Sequence, residues 1–80
     1  MKLFSDLKIG DKVFVIHKNR WTFDIAEVIA MNDFLVKFQF YFDNDTLLLW
    51  KYYESHHETM NCIIFIDEKE AIEVFKNGFE

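Results

Sequence analysis

The sequence predicts a mainly β domain, a five-stranded antiparallel small barrel or strongly curled sheet with one C-terminal α-helix. Three observations predict this fold. Apolar segments recur about every ten residues, turn-forming residues separate them, and a capped amphipathic pattern comes last. The 80 residues are predicted to form a single domain, residues 1–80, and they contain neither a proline nor an internal repeat.

The elements follow from these patterns in chain order. The predicted strands are residues 12–18, 21–31, 34–42, 46–53 and 60–66, and the predicted helix is residues 67–77. Turns are predicted at Gly10-Asp11, 17–20, Asn32-Asp33 and 43–45, because glycine, asparagine and aspartate tolerate turn conformations. Residues 54–59 are predicted to be a polar loop.

The strand patterns differ in how much of each strand they predict to be buried. Residues 34–42 alternate strictly, and the face that fills the core is predicted to carry Phe34, Val36, Phe38, Phe40 and Phe42. Strand 12–18 has an unbroken apolar run, so both of its faces are predicted to be partly buried. The alternation of strand 21–31 slips near Ala26-Glu27, which indicates a β-bulge or a strong bend. Helical spacing leaves a helix over 24–31 as the alternative.

The C-terminal helix has start and stop signals. Asp67 is placed to cap the first backbone N–H groups, and Glu70 stands where the partner of a capping box would be. Gly78 is predicted to end the helix. We expect Ile72 and Phe75 to plug an open end of the barrel. A flat four- or five-stranded sheet with the helix across one face is the second architecture.

Two segments carry a resemblance to known proteins. Leu7-Lys8-Ile9-Gly10-Asp11-Lys12-Val13-Phe14-Val15-Ile16 resembles the first strand of SH3-like, KOW-like and Tudor-like small β-barrels, in which a Gly-Asp turn precedes a Val-rich strand. Phe65-Ile66-Asp67-Glu68-Lys69-Glu70-Ala71-Ile72 resembles the strand-to-helix ending of small uncharacterised bacteriophage and mobile-element proteins. The resemblance implies an SH3-like barrel and adds little about activity.

Composition and charge limit the classes of function. Fifteen aromatic residues are hard to enclose in one 80-residue core, so a cluster of them at the surface would mark a partner site or a self-association face. The net charge is −5, and residues 41–80 carry three Lys/Arg against nine Asp/Glu. Acidic surface disfavours nucleic acid and favours a basic partner, such as a nucleic-acid-binding protein. The lone Cys62 reads as a small buried hydrophobe, and the early polar residues and the lack of a long apolar run predict a cytoplasmic protein with no membrane partner.

Three segments are candidate sites. The His17–Trp21 turn places Lys18 and Arg20 beside the indole of Trp21, a combination that stacks on bases or anchors a protein interface. An exposed hairpin with Trp21 folded back onto the sheet is the structural alternative. A second candidate is the aromatic strand face, for which core filling is the alternative; its residues are Tyr41, Trp50, Tyr52 and Tyr53, with Trp50 and Tyr52 expected to pair with Tyr41.

The third candidate is the polar cluster Glu54-Ser55-His56-His57-Glu58. With His17 or Asp45 nearby, His56 and His57 are weak candidates for a Zn²⁺ site. Adjacent residues of an extended segment point to opposite sides, however, so a solvated loop without metal is preferred.

The sequence has no nucleophile triad with a strained glycine turn, no P-loop and no glycine-rich phosphate cradle. We therefore expect a non-catalytic protein-binding module without cofactors, in a special case a phage-encoded inhibitor or modulator of a host protein. A homodimer is a further expectation. The alternative is a small nucleic-acid-binding barrel that uses the His17–Trp21 loop together with Lys12.

Overall fold

The computed structural model describes residues 4–42, 44–51 and 56–78. A 3-10 turn at Phe4–Asp6 precedes the sheet, whose strands are β1 (Lys12–His17), β2 (Thr22–Met31), β3 (Leu35–Phe40), β4 (Thr46–Trp50), β5 (His56–Glu58) and β6 (Cys62–Phe65), and the last element is helix α1 (Glu68–Asn77). The prediction of a mainly β fold with one C-terminal helix is confirmed, and the described strands number six rather than five.

The additional strand is β5, which lies within the predicted polar loop 54–59. It pairs with β6 through three residues, His56 with Phe65, His57 with Ile64 and Glu58 with Ile63. Its side chains carry no apolar alternation, so the sequence pattern does not reveal it. Main-chain hydrogen bonds to a buried neighbour are sufficient for a short strand at a sheet edge.

The six strands form one antiparallel sheet in the order β4-β3-β2-β1-β6-β5, strongly curled into a half-barrel. Strands β4 and β5 are the two edges, although they follow each other in the chain. Within the described residues the barrel is therefore open between β4 and β5.

The inner face of the curled sheet holds the larger core. It is built by alternate residues of five strands and closed by two residues of the N-terminal segment; its buried members are Phe4, Leu7, Val13, Val15, Ala26, Val28, Val36, Phe38, Phe40, Leu49, Cys62, Ile64 and Ile66. The ring of Phe4 meets that of Phe38 edge to face at 6.1 Å between centroids. Cys62 is buried in this core, as its apolar neighbours in the sequence predict.

A second core lies on the outer face, under α1. The helix packs across β1 and β6, where Ile16, Ile63, Phe65 and Ala71 are buried and Phe14, Trp21, Phe23, Val74 and Phe75 pack around them. The unbroken apolar runs of β1 and β6 follow from this arrangement, because both faces of these two strands are covered. The prediction that both faces of the first strand are partly buried is confirmed.

The helix begins and ends as predicted. The side chain of Asp67 accepts a hydrogen bond from the Glu70 N–H at 3.0 Å, and Gly78, with φ of 85°, donates its N–H to the Val74 carbonyl. The second hydrogen bond of a capping box, from the Asp67 N–H to the Glu70 side chain, is not formed, and Glu70 Oε1 is buried without a hydrogen-bond partner. The prediction for Ile72 is wrong: it is 37% exposed, and Ala71, Val74 and Phe75 make the contact with the sheet. In the described part of the chain no helix has the length and apolarity needed to cross a membrane.

Two strand details also differ from the sequence pattern. The irregularity of β2 is real but lies between Val28 and Ala30, where the pairing with β3 shifts register. Strand β3 is shorter than predicted, and Phe34 and Phe42 are exposed at its two ends. Turns flank the strand at both ends: the Asn32 side chain accepts hydrogen bonds from the N–H groups of Phe34 and Leu35, and Asn44 has φ of 62°.

Candidate functional site

The outer face of the β3–β4 hairpin is an exposed apolar surface. Leu48 is 57% and Trp50 53% exposed, and they stand opposite Lys37 and Leu35 of β3 in the sheet register. Beside Leu48 lies a shallow hollow of about 160 Å³, lined in part by Ala30 and Leu35. We call the set Leu35, Leu48 and Trp50 the β4 face. Helix α1 covers the outer face of β1 and β6 and leaves the β4 face uncovered by described residues.

Strand β4 is also an edge strand with polar main-chain groups directed outward. The Lys51 N–H donates to the Phe34 carbonyl and the Phe40 N–H donates to the Asp45 carbonyl, so odd-numbered residues of this strand bond to β3. The N–H and C=O groups of Thr46, Leu48 and Trp50 then point to the side on which no described strand lies. We call this side the β4 edge. An extended polypeptide has the hydrogen-bonding groups to match it.

The structure does not bring the predicted aromatic residues together. Trp50 stands opposite Leu35 at one end of the β3–β4 hairpin, whereas Tyr41 follows β3 at the other end. The Tyr41 hydroxyl donates to Glu27 at 3.0 Å, and the Lys12 ammonium lies 5.7 Å from the centre of its ring. The expected pairing of Tyr41 with Trp50 is therefore wrong, because Trp50 stands opposite Leu35 and five β3 positions separate Leu35 from Tyr41. Tyr52 and Tyr53 lie outside the described residues.

A second candidate site lies at one end of the half-barrel. His17 Nε2 is 3.1 Å from Asp24 Oδ2, and the other oxygen of Asp24 accepts the Ile25 N–H at 2.7 Å. The side chain of Asp24 is only 10% exposed, and the His17 ring meets Phe40 edge to face. The pair lines a cavity of about 290 Å³ together with Arg20, Thr22, Phe23 and Phe42. We call it the end cavity.

The end cavity combines exposed side chains with the His17–Asp24 pair. Phe42 is 87% exposed, and the Arg20 guanidinium has no hydrogen-bond or ion-pair partner among the described residues. Thr22 stands opposite His17 in the sheet, but no hydrogen bond joins its hydroxyl to the imidazole. A cation and an aromatic ring thus flank a carboxylate–imidazole pair.

The three predicted residues of the His17–Trp21 turn have different surroundings. Lys18 forms an ion pair with Glu58 of β5. Trp21 turns back onto α1, where its ring stacks on Phe75 at 6.3 Å and 5°, and its Nε1–H donates to the Phe75 carbonyl at 2.9 Å. A φ of 51° at Trp21 makes this return possible. Of these three residues only Arg20 lines the end cavity.

The two adjacent histidines lie on opposite faces of the short strand β5. His56 stacks on Phe65 at 5.7 Å, and His57 stands opposite Ile64. Burial lowers the pKa of His57, and the neighbouring His56 adds to the shift, while Glu58 opposes it. Within the described residues no group of three His, Cys, Asp or Glu side chains is placed to hold a metal ion. The strand alternation separates the candidate ligands.

Sequence reasoning missed several members of these surfaces. Asp24 looks like an ordinary polar strand residue, and only the pairing of β1 with β2 brings it to His17. The strict alternation of residues 34–42 places Leu35 on the face opposite the core, where it lies, but its part in the β4 face depends on its pairing with Trp50. The exposure of Phe42 contradicts its predicted core position, and the turn signal at 43–45 that follows it was the available warning.

Comparisons with known proteins give a family and no function. None of the curated proteins and none of the solved structures matches the chain. One family model matches residues 5–66, a range that contains all six described strands and ends before α1. The shared part is thus the curled sheet with its two edges, and the chain belongs to the family described as a domain of unknown function, DUF7205.

Proposed function

We propose that this protein is a non-catalytic protein-binding module whose β4 face contacts its partner. The observation that carries the proposal is the exposure of Leu48 and Trp50 on a strand, Thr46–Trp50, that has no charged residue. Half-exposed aliphatic and indole side chains beside a shallow hollow are typical anchors of protein interfaces. Lys37, which stands opposite Leu48 on the same face, supplies a polar rim.

The charge distribution separates this face from the acidic part of the surface. Glu68, Glu70 and Glu73 belong to α1, which packs on β1 and β6 rather than on the β3–β4 hairpin. A basic partner would therefore be attracted to the side of the helix. At the β4 face itself, apolar contact is the main source of affinity. We propose a partner that offers an apolar anchor, with a basic region as a secondary feature.

The test is capture of proteins from a cell lysate by the immobilised domain at low salt. We expect Leu48→Lys to abolish the capture, because it places a charge in the centre of the β4 face. Met60→Lys is the matched control: Met60 is equally apolar, more exposed, and lies in the turn between β5 and β6. Capture of nothing by the wild type, or of the same proteins by both variants, would contradict the proposal.

The resemblance of residues 65–72 to proteins of bacteriophages and mobile elements supplies a special case. In that case the partner of the β4 face is a host protein that the module inhibits or modulates. We also propose that the fold is an SH3-like barrel, and the Gly10-Asp11 turn before β1 supports this assignment. Inhibition is tested by expressing the wild type and Leu48→Lys in host cells, with the expectation that only the wild type impairs growth.

The runner-up is binding of single-stranded nucleic acid at the end cavity. It is supported by the exposed Arg20 and Phe42, which line one cavity with His17 and combine a cation with a stacking surface. Lys12 does not join this patch, since it lies at the other end of β1. If the runner-up is right, a labelled oligonucleotide binds at low salt, binding falls as salt rises, and Arg20→Ala weakens it. An unchanged anisotropy at low salt refutes it.

A further inference from the structure

We propose that the β4 edge pairs with the β4 edge of a second copy of this chain, antiparallel, about a two-fold axis at Leu48. The inference goes beyond the proposed function, because it concerns the main chain of β4 and not its outward side chains. Its occupant is a second copy rather than another protein. Three features of the strand support this pairing: its composition, the direction of its main-chain hydrogen-bonding groups and the two charges at its ends.

The β4 edge lacks the features that protect sheet edges from pairing. Edge strands commonly carry a lysine, a proline, a bulge or an inward-pointing charge, or are covered by another element. Strand β4 has the sequence Thr-Leu-Leu-Leu-Trp, its pairing with β3 is regular, and no described element covers it. By contrast, the other edge, β5, is three residues long and consists of two histidines and a glutamate. Of the two described edges, β4 is the one suited to adding a strand.

The direction of the main-chain hydrogen-bonding groups limits how two β4 strands can pair. The outward N–H and C=O groups belong to the even-numbered residues Thr46, Leu48 and Trp50, so these must meet even-numbered residues of the second copy. Placing Leu48 opposite Leu48 aligns the whole strand with its copy, and Thr46 then stands opposite Trp50. This register forms about six main-chain hydrogen bonds. A shift in either direction leaves part of the strand unpaired.

The same register matches charges at both ends. Residue 45 of one copy stands opposite residue 51 of the other, and these are Asp45 and Lys51. Both are odd-numbered, so alternation puts the two side chains on the same face of the joined sheet. The two-fold axis repeats this Asp–Lys contact at the other end. Within the described residues the Lys51 ammonium has no ion-pair partner of its own. Strand β4 is therefore self-complementary in the antiparallel direction.

Pairing at the β4 edge would also join the two β4 faces. Leu48 and its copy would be neighbours with their Cα atoms about 5.5 Å apart, and each Trp50 would lie beside the other copy's Thr46. The dimer would then present one apolar stripe in place of two separate patches. A partner bound at this stripe would contact both copies.

The test is sedimentation equilibrium of the full chain between about 10 μM and 1 mM, where small interfaces dissociate. We expect a concentration-dependent dimer. Asp45→Lys and Lys51→Asp should each weaken it about tenfold or more, because each turns two attractive contacts into repulsive ones. The double variant, with both charges exchanged, should restore it. Glu73→Lys and Lys76→Asp are the matched controls on α1, with the same changes of net charge, and should leave the dimer intact.

The outcomes separate the inference from its competitors and from the proposed function. A monomer throughout the range overturns the inference, whatever the lysate capture shows. If Asp45→Lys strengthens the dimer while Lys51→Asp weakens it, net charge and not register governs association, and the inference is wrong. A dimer that the double variant does not restore overturns the register. Circular dichroism of each variant verifies that the sheet is folded. The proposed function fails separately, when Leu48→Lys captures the same proteins as Met60→Lys.

Discussion

Trp21 is expected to hold the helix to the sheet, and replacing it tests whether its role is structural. The last four carbonyls of a helix lack partners within the helix. In α1 the Gly78 N–H bonds to the Val74 carbonyl, and the Trp21 indole bonds to the Phe75 carbonyl. Trp21 thus acts as a side-chain cap from a distant turn. Its ring stacks in parallel on Phe75, and Phe23 meets Phe75 edge to face at 5.6 Å.

The expected losses of stability follow from these contacts. Trp21→Phe keeps most of the apolar contact and removes the hydrogen bond, which costs about 1 kcal/mol. Trp21→Ala removes the ring as well; full burial of Trp would give about 3–5 kcal/mol, and partial exposure of Trp21 reduces this to about 2–3 kcal/mol. A domain of this length has about 4–12 kcal/mol of stability, so the alanine variant loses a large share of it.

Urea unfolding followed by far-ultraviolet circular dichroism measures these losses, and hydrogen exchange of the α1 amides locates them. Trp50→Phe is the matched control, because Trp50 is half exposed on the β4 face and its replacement should change stability by less than about 0.5 kcal/mol. Equal losses for Trp21→Phe and Trp50→Phe would refute the capping role. The capping role would also be refuted if the α1 amides of Trp21→Ala were as protected from hydrogen exchange as those of the wild type.

Three further predictions concern single side chains. The pKa of His57 is lowered by burial, so the unfolded chain takes up the proton first as the pH falls. The stability of the domain is therefore intact above about pH 6.5 and falls as the pH drops towards the folded pKa. His57→Gln should flatten this fall, measured by urea unfolding between about pH 7.5 and 5.5. An unaltered pH dependence contradicts it. Asp67→Ala should cost about 1 kcal/mol through loss of the cap, measured against Glu73→Ala, which should be near neutral. Asp24→Ala should lower the free energy of unfolding by about 1–2 kcal/mol, since it removes the partner of His17 and of the Ile25 N–H. Asp33→Ala, at an exposed position, is the control, and an equal loss for both variants would show that the His17–Asp24 pair contributes nothing to stability.

The agreement between sequence and structure is closest where one local pattern is sufficient. The alternation within 34–42 predicts β3, and Val36, Phe38 and Phe40 are in the core. The helix signals at Asp67 and Gly78 predict both ends of α1. Local patterns fail at the ends of strands, where Phe34 and Phe42 continue the alternation but belong to turns, and both side chains are exposed. They also fail at β5, whose existence depends on its neighbour.

The candidate sites were predictable in part. The sequence indicates that some aromatic side chains must reach the surface, and Trp50 does. From the sequence alone Trp21 is an equally good candidate for the surface, but its indole donates a hydrogen bond to the carbonyl of Phe75, fifty-four positions away. A side chain's neighbours decide whether it is an anchor for the fold or for a partner, and no local pattern contains that information.

Local sequence features are enough to specify the class of the fold, the capped helix and the excess of aromatic residues over what one small core encloses. These depend on the period of apolar residues, on turn and cap residues, and on composition, all of which act over a few neighbouring positions. The three-dimensional arrangement was needed to show that β4 is an edge, that α1 covers β1 and β6, and that Asp24 meets His17. Strand order and register arise from contacts between residues far apart in the chain, where many pairings satisfy the same alternation and packing selects one.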